Sequence, residues 1–264
     1  MKSDIHEISL KICHEIAEKR PVVQCITNTV TVNDCANALL AIGASPTMAH
    51  HPQEMEDFAK VSDALVCNMG ATESFEAMEA AGRIRSKDRP VVIDPVGCAA
   101  SSFRREKCLD IINKLRPACI RGNAAEIRAL VTDRNTAKGV DDIGSENRGR
   151  RYAQLLSDLT GCIVIASGVT DYAAFHDEVI PVTGGSAYLT RITGSGCMLS
   201  SMLGAFLAVD NSLKSAAACC HMMAACAENA EKRMEKVGGG AGTFHIYLMD
   251  ALSRYSVDTR YKRI

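Results

Sequence analysis

No sign of charge dominates this chain: its 264 residues carry 30 Lys and Arg against 31 Asp and Glu, for a formal net charge of -1. Such a balance lacks the basic footprint of a nucleic-acid or anionic-membrane binder, so small molecules are the expected partners. No Cys-x-x-Cys spacing occurs, although there are 12 cysteines spread through apolar segments. They read as buried, reduced small hydrophobes of a cytoplasmic protein, neither a zinc site nor a disulfide framework. Residues 1–20 form no signal peptide and read instead as a charged amphipathic helix. The longest uncharged apolar stretch, residues 197–209, contains Ser200, Ser201 and Gly204 and is too short to span a bilayer. The absence of Gly-x-x-x-x-Gly-Lys-Ser/Thr excludes the P-loop route to phosphate binding. Cofactor oxidoreduction is disfavoured, because no early Gly-x-Gly-x-x-Gly unit with an acidic ribose partner occurs.

The chain does have 47% hydrophobic and 23% charged residues, an ordinary globular balance, with no linker or repeat dividing it. One domain over residues 1–264 is the expectation. Residues 22–26, 64–68, 91–94, 118–123 and 162–166 are apolar runs without polar alternation, interleaved with helical segments at 5–19, 34–42, 73–87, 103–115, 125–130 and 152–159. Strands buried on both faces and alternating with helices predict an α/β fold, a mostly parallel sheet flanked by helices on both sides. Short β-type runs over residues 173–192 suit antiparallel edge strands, and helices are predicted at 195–209, 213–236 and 243–253. Residues 138–148 are expected as an exposed charged loop, and residues 44–52 as an ordered one. In that second loop Met48 could line an apolar pocket. The His50-His51 pair has no partners in sequence to make it a metal site.

In open α/β sheets ligands sit beyond the carboxyl ends of the strands, which brings Asn28, Asn68, Asp94, Arg121 and Asn123 to one rim. Late in the chain, Gly194 and Gly196 flank Ser195 and open a helix. Their missing Cβ atoms let successive N–H groups face one concavity at the positive end of the helix, a nest for an anion. Cys197 falls in the first turn, where the helix end should favour a thiolate. Asp94 and Glu126 are hard carboxylates on neighbouring turns and suit Mg²⁺, although each singly is as well explained by a helix cap or a salt bridge. Arg121 could hold phosphate through its planar fork or pair with Glu126. Nest, carboxylates and arginine together describe phosphoryl transfer, with Cys197 standing where a base would take the proton of an alcohol.

Six stretches carry a resemblance: Gln24-Cys25-Ile26-Thr27-Asn28-x-Val30-Thr31-x-Asn33-x-x-Ala36-Asn37, Gly43-Ala44-Ser45-Pro46-x-Met48-Ala49, Asp94-Pro95-Val96-Gly97, Ile120-Arg121-Gly122-Asn123-x-x-Glu126-Ile127, Thr193-Gly194-x-Gly196-Cys197 and Gly242-Thr243-Phe244. In these the chain resembles the hydroxyethylthiazole kinase family of the ribokinase-like superfamily, over nearly its whole length and in the family's order. The resemblance implies ATP- and Mg²⁺-dependent phosphorylation of the hydroxyl of 5-(2-hydroxyethyl)-4-methylthiazole, in thiamine biosynthesis or salvage. It implies thiazole contacts at Met48, Gly194 and Asn28, ATP contacts at Arg121 and Ser167, magnesium contacts at Asp94 and Glu126, and Cys197 in the place that an aspartate base holds in related sugar kinases. It also implies a homotrimer with sites between subunits, in which the Met48 loop serves a neighbour.

The sequence departs from the family's pattern at Ser167, where Thr is usual and the hydroxyl is kept. It departs again at Gly97-Cys98-Ala99-Ala100, which lacks a second Gly, and at Gly184-Gly185-Ser186 in place of Asn-Gly-His. A kinase of hydroxymethylpyrimidine or another small alcohol would share the nest and differ around Asn28 and Met48. An idle thiazole- or nucleotide-binding regulator would have no use for Asp94, Arg121, Glu126 and Cys197 together.

Overall fold

Apolar runs with no polar alternation are stable only when covered on both faces, and the central strands lie that way. The computed structural model describes residues 2–84, 88–132 and 148–255. Strands β1 (Val22–Ile26), β2 (Ser45–Thr47), β3 (Ala64–Asn68), β4 (Val91–Asp94), β5 (Cys119–Asn123), β6 (Ile163–Ser167), β7 (Thr170–Phe175) and β8 (Glu178–Thr183) form one sheet in the order β2-β1-β3-β4-β5-β6-β7-β8. The first six pair in parallel. β7 and β8 add antiparallel strands at one edge, as the runs over 173–192 suggest, except that β7 begins at Thr170, within the turn expected after β6, and Ala187–Arg191 form a 3₁₀ turn.

Side chains alternate between two cores, one on each side of the sheet. On β3, Ala64 and Val66 face the first, and Leu65 and Cys67 the second. The first core is closed by α1 (Lys2–Lys19), α2 (Val32–Ala41), α8 (Ser195–Val209), α9 (Leu213–Lys236) and α10 (Ala241–Arg254). The second is closed by α3 (Met55–Val61), α4 (Phe75–Ile84), α5 (Ser102–Leu115), α6 (Ala124–Thr132) and α7 (Arg148–Thr160). α8 is apolar all round, and every residue from Cys197 to Leu207 is buried, so it lies inside the first layer between the sheet and its helical neighbours. All twelve cysteines are free and buried. Among the described residues no helix is long and apolar enough to cross a membrane.

Three local readings need correction. Residues 44–52 contain β2, a three-residue edge strand that tolerates Pro46 because an edge needs hydrogen bonds on one side only. They are followed by α3, a short helix with no sequence expectation. Here His51 Nδ1 accepts from the Gln53 amide at 3.3 Å and Glu54 Oε1 accepts from the His51 amide at 3.1 Å, so His51 caps the turn that leads into α3. The helix expected over 73–87 starts as a 3₁₀ turn at Thr72–Ser74 and continues as α4 to Ile84. Residues 85–87 lie outside the described residues, and so does the charged loop expected at 138–148, apart from Arg148 at the start of α7.

Candidate active site

Parallel strands deliver their carboxyl ends to one edge of the sheet. Asn68 ends β3, Asp94 ends β4, Asn123 ends β5 and Ser167 ends β6, while Asn28 follows β1 and Met48 follows β2. A cavity of about 790 Å³ opens at this rim. Arg121, Glu126, Ser167 and the α8 turn from Gly194 to Cys197 give it polar walls, and Val182, Leu189, Leu199 and Met223 give it apolar ones. Five of the eight expected site residues, Arg121, Glu126, Ser167, Gly194 and Cys197, thus line one cavity.

Gly194 occupies the cap position of α8 with φ of 80°, and a Cβ there would come within 2.8 Å of Thr31 Cγ2. Among the described residues no side chain caps α8, so the N–H groups of its first turn remain open to an anion. A Cβ on Gly196 would fall on the Arg121 guanidinium, so the cation lies against that turn. Arg121 Nε donates to Ser167 Oγ at 3.1 Å, which fixes the fork from the other side. Its partner is Ser167, not the Glu126 of the ion-pair alternative.

Glu126 opens α6 and is held by backbone. Its Oε1 accepts from the Gly97 amide at 3.0 Å and its Oε2 from the Asn123 amide at 2.9 Å, while Asn123 Oδ1 accepts from the Glu126 amide at 2.9 Å. Asp94 is fully buried, behind the cavity wall. Its Oδ2 accepts from Asn68 Nδ2 at 3.0 Å and from Ser200 Oγ at 2.9 Å, and its Oδ1 has no hydrogen-bond partner among the described residues. Burial pushes this carboxyl up, the Arg121 charge pulls it back and the Glu126 charge adds to the rise, leaving it at about 6. An orphaned buried carboxylate oxygen, with a second carboxylate on the next turn, is a hard-oxygen donor set that fits Mg²⁺.

Cys197 sits in the first turn of α8 as expected, 7% exposed, but its thiol does not behave as expected. Burial and then the neighbouring Asp94 charge push it up to about 12, overriding the helix end. The sulfur is a neutral thiol at neutral pH. Asn28 joins the same cluster: its Nδ2 lies 3.7 Å from Cys197 Sγ and 3.1 Å from Asn68 Oδ1, and its Oδ1 accepts from Thr31 Oγ1 at 3.2 Å. Met48 stands apart. It is half-buried against the first core, just after edge strand β2 beside β1, and it is not among the residues that line the cavity.

From sequence, Thr31 and Ser200 carry no expected role, and Asn68 is expected only at the rim. Ser200 lies three residues after Cys197, on the same helix face, and that spacing was a usable signal. Thr31 stands in the first of the resembling stretches, but only the fold brings it under Gly194.

Residues 13–258 match the profile of the hydroxyethylthiazole kinase family. The chain is 37% identical to hydroxyethylthiazole kinase of Methanobrevibacter smithii, over 94% of this chain and 91% of that protein. It is 41% identical to that of Listeria monocytogenes, over 94% and 93%. The solved structure of a hydroxyethylthiazole kinase protein from Pyrococcus horikoshii superposes with a TM-score of 0.86 at 32% identity, covering 97% of this chain and 96% of that one. A pyridoxal kinase from Staphylococcus aureus in complex with AMP-PCP shares the fold alone, with a TM-score of 0.59 at 15% identity over 80% and 88% of the two chains. The chain belongs to the hydroxyethylthiazole kinase family.

Proposed function

We propose that this chain transfers the γ-phosphoryl group of ATP to the hydroxyl of 5-(2-hydroxyethyl)-4-methylthiazole, making the thiazole phosphate for thiamine biosynthesis or salvage, as one ribokinase-like unit. The observation that carries the reading is the single cavity in which Arg121, Glu126, Ser167 and the uncapped first turn of α8 converge beside Cys197. Phosphoryl transfer asks the protein mainly for positioning and charge stabilisation, and this cavity supplies both.

Arg121, braced by Ser167, and the N–H groups of Gly194 to Cys197 hold the phosphate oxygens, while the apolar walls accept the base. Asp94 through its orphaned oxygen, with Glu126, would hold Mg²⁺, which when bound neutralises phosphate charge. Cys197 is the catalytic group at the reacting hydroxyl. With its thiol at about 12 it acts first as a positioning contact, because a loose transition state keeps the proton on the alcohol until late. Thiazole is held by Asn28 and Gly194, with Met48 contributed by a neighbouring subunit of a homotrimer. That Met48 does not line its own chain's cavity supports that arrangement. Twelve free, buried thiols support a cytoplasmic setting.

The test is ATP consumption by the purified protein with Mg²⁺, offering hydroxyethylthiazole and hydroxymethylpyrimidine separately, with mass spectrometry of the products. Phosphorylated thiazole alone is the expected result. Turnover of the pyrimidine alone would overturn the substrate, and thiazole binding without turnover of either would leave an idle binder.

A further inference from the structure

We propose that Asn68 is a positioning residue for the phosphoryl transfer, fixing Cys197 relative to Asp94. The two lie on different elements, the α8 turn and the end of β4, and Asn68 hydrogen-bonds to both. It is 1% exposed and paired in register with Asp94 across β3 and β4.

A carboxamide has two N–H donors and an oxygen with two lone pairs, and here all four are used. Nδ2 donates to Asp94 Oδ2 at 3.0 Å and to Cys197 Sγ at 3.2 Å. Oδ1 accepts from the Gly70 amide at 2.9 Å and from Asn28 Nδ2 at 3.1 Å. Turned over, the amide would set its NH₂ against two donors and its oxygen against a carboxylate, so one orientation alone satisfies the site. A side chain saturated in this way cannot rotate without breaking buried bonds, and a buried polar group left unpaired is costly. It therefore transmits the position of the sheet end to the sulfur. Sγ takes its N–H contacts from the protein side, from Asn68 and Asn28, while Cys197 itself lines the cavity.

The inference rests on Cys197 touching the reacting hydroxyl, and a double-mutant cycle separates the two. Cys197→Ala, Asn68→Ala and the double variant are compared for kcat, for KM of thiazole and ATP, and for thermal midpoint. Asn68→Ser serves as a second variant that stays polar beside Asp94 but does not reach the sulfur. The expected result is a roughly tenfold to hundredfold loss of kcat for either Asn68 variant, the usual range for a group that orients a functional side chain, with KM for ATP little changed. In the Cys197→Ala background the same substitution should cost clearly less, because its effect through the sulfur is already gone and only its contacts to Asp94 and Asn28 remain to be lost. Equal fold-losses in both backgrounds would overturn the role of Asn68 and leave that of Cys197 standing. Wild-type kcat in Cys197→Ala would remove the Cys197 reading and this one with it.

Discussion

Asp94 is the residue at which stability and function pull apart. Its carboxyl stands at about 6 in the folded chain against an ordinary value of 3.8, chiefly through burial. The folded state therefore binds the proton more tightly than the unfolded one. The stabilisation that this gives is complete below pH 3.8 and is lost as pH rises through about 6. Asparagine does not titrate, so the stability of Asp94→Asn relative to wild type should increase by about 2 kcal/mol between pH 4.5 and 7.5 in metal-free buffer, whatever its intercept. Urea denaturation at the two pH values measures this, and a constant difference would show that the carboxyl is not burdened by burial. Loss of phosphorylation in the same variant is expected. Cys197 makes the complementary case. Cys197→Ala should lower kcat far more than it raises the dissociation constant for thiazole, and Cys197→Asp should restore part of the loss by supplying a true carboxylate base. An alanine variant with unchanged kcat would remove the side chain from the reaction.

At the scale of elements, the first turn of α8 holds the anion site together because Gly196 has no Cβ where the Arg121 guanidinium lies. Gly196→Ala would gain up to about 1 kcal/mol of helix propensity. The clash falls on the far end of a flexible side chain, so the cost goes to the site and not to the fold. The thermal midpoint should hold or rise while affinity for a non-hydrolysable ATP analogue drops roughly tenfold, the loss of one charge-assisted hydrogen bond. Unchanged affinity by titration calorimetry would mean that Arg121 does not hold the nucleotide. The same element shows what sequence can convey. Segment 195–209 was legible as a helix from its glycine hinge and long apolar run, and the parallel strands from their unalternated composition. β2 and α3 were not: a three-residue strand has no period, and a seven-residue helix entered through a 3₁₀ turn capped by His51, with Glu54 at its own cap position, lacks the usual cap residues. Cys197 could be placed but its protonation could not, because burial and the Asp94 charge come from the folded surroundings while the helix end is local. Asn68 was visible at the rim; its four bonds, reaching β4, α8 and the chain after β1, were not.

At the scale of the whole molecule, Met48 and Cys197 belong to the same proposed site, yet Cys197 lines the cavity and Met48, after edge strand β2, does not. A homotrimer that pairs the Met48 loop of one subunit with the cavity of the next resolves this, and it makes a prediction that a monomeric site does not. Met48→Asp and Cys197→Ala should each be nearly inactive as pure proteins, with their defects on opposite sides of the shared boundary. Refolded together in equal amounts, they should form mixed rings in which about one site in four receives both intact residues, by random association in a closed symmetric assembly. Activity in the mixture should rise toward a quarter of wild type, while the two proteins assayed side by side without refolding should stay inactive. Recovery after co-refolding would mean that neighbouring chains complete each other's sites. A refolded mixture as inactive as its parts, with trimers present by light scattering, would confine each site to a single chain and leave Met48 to act, if at all, from its own chain.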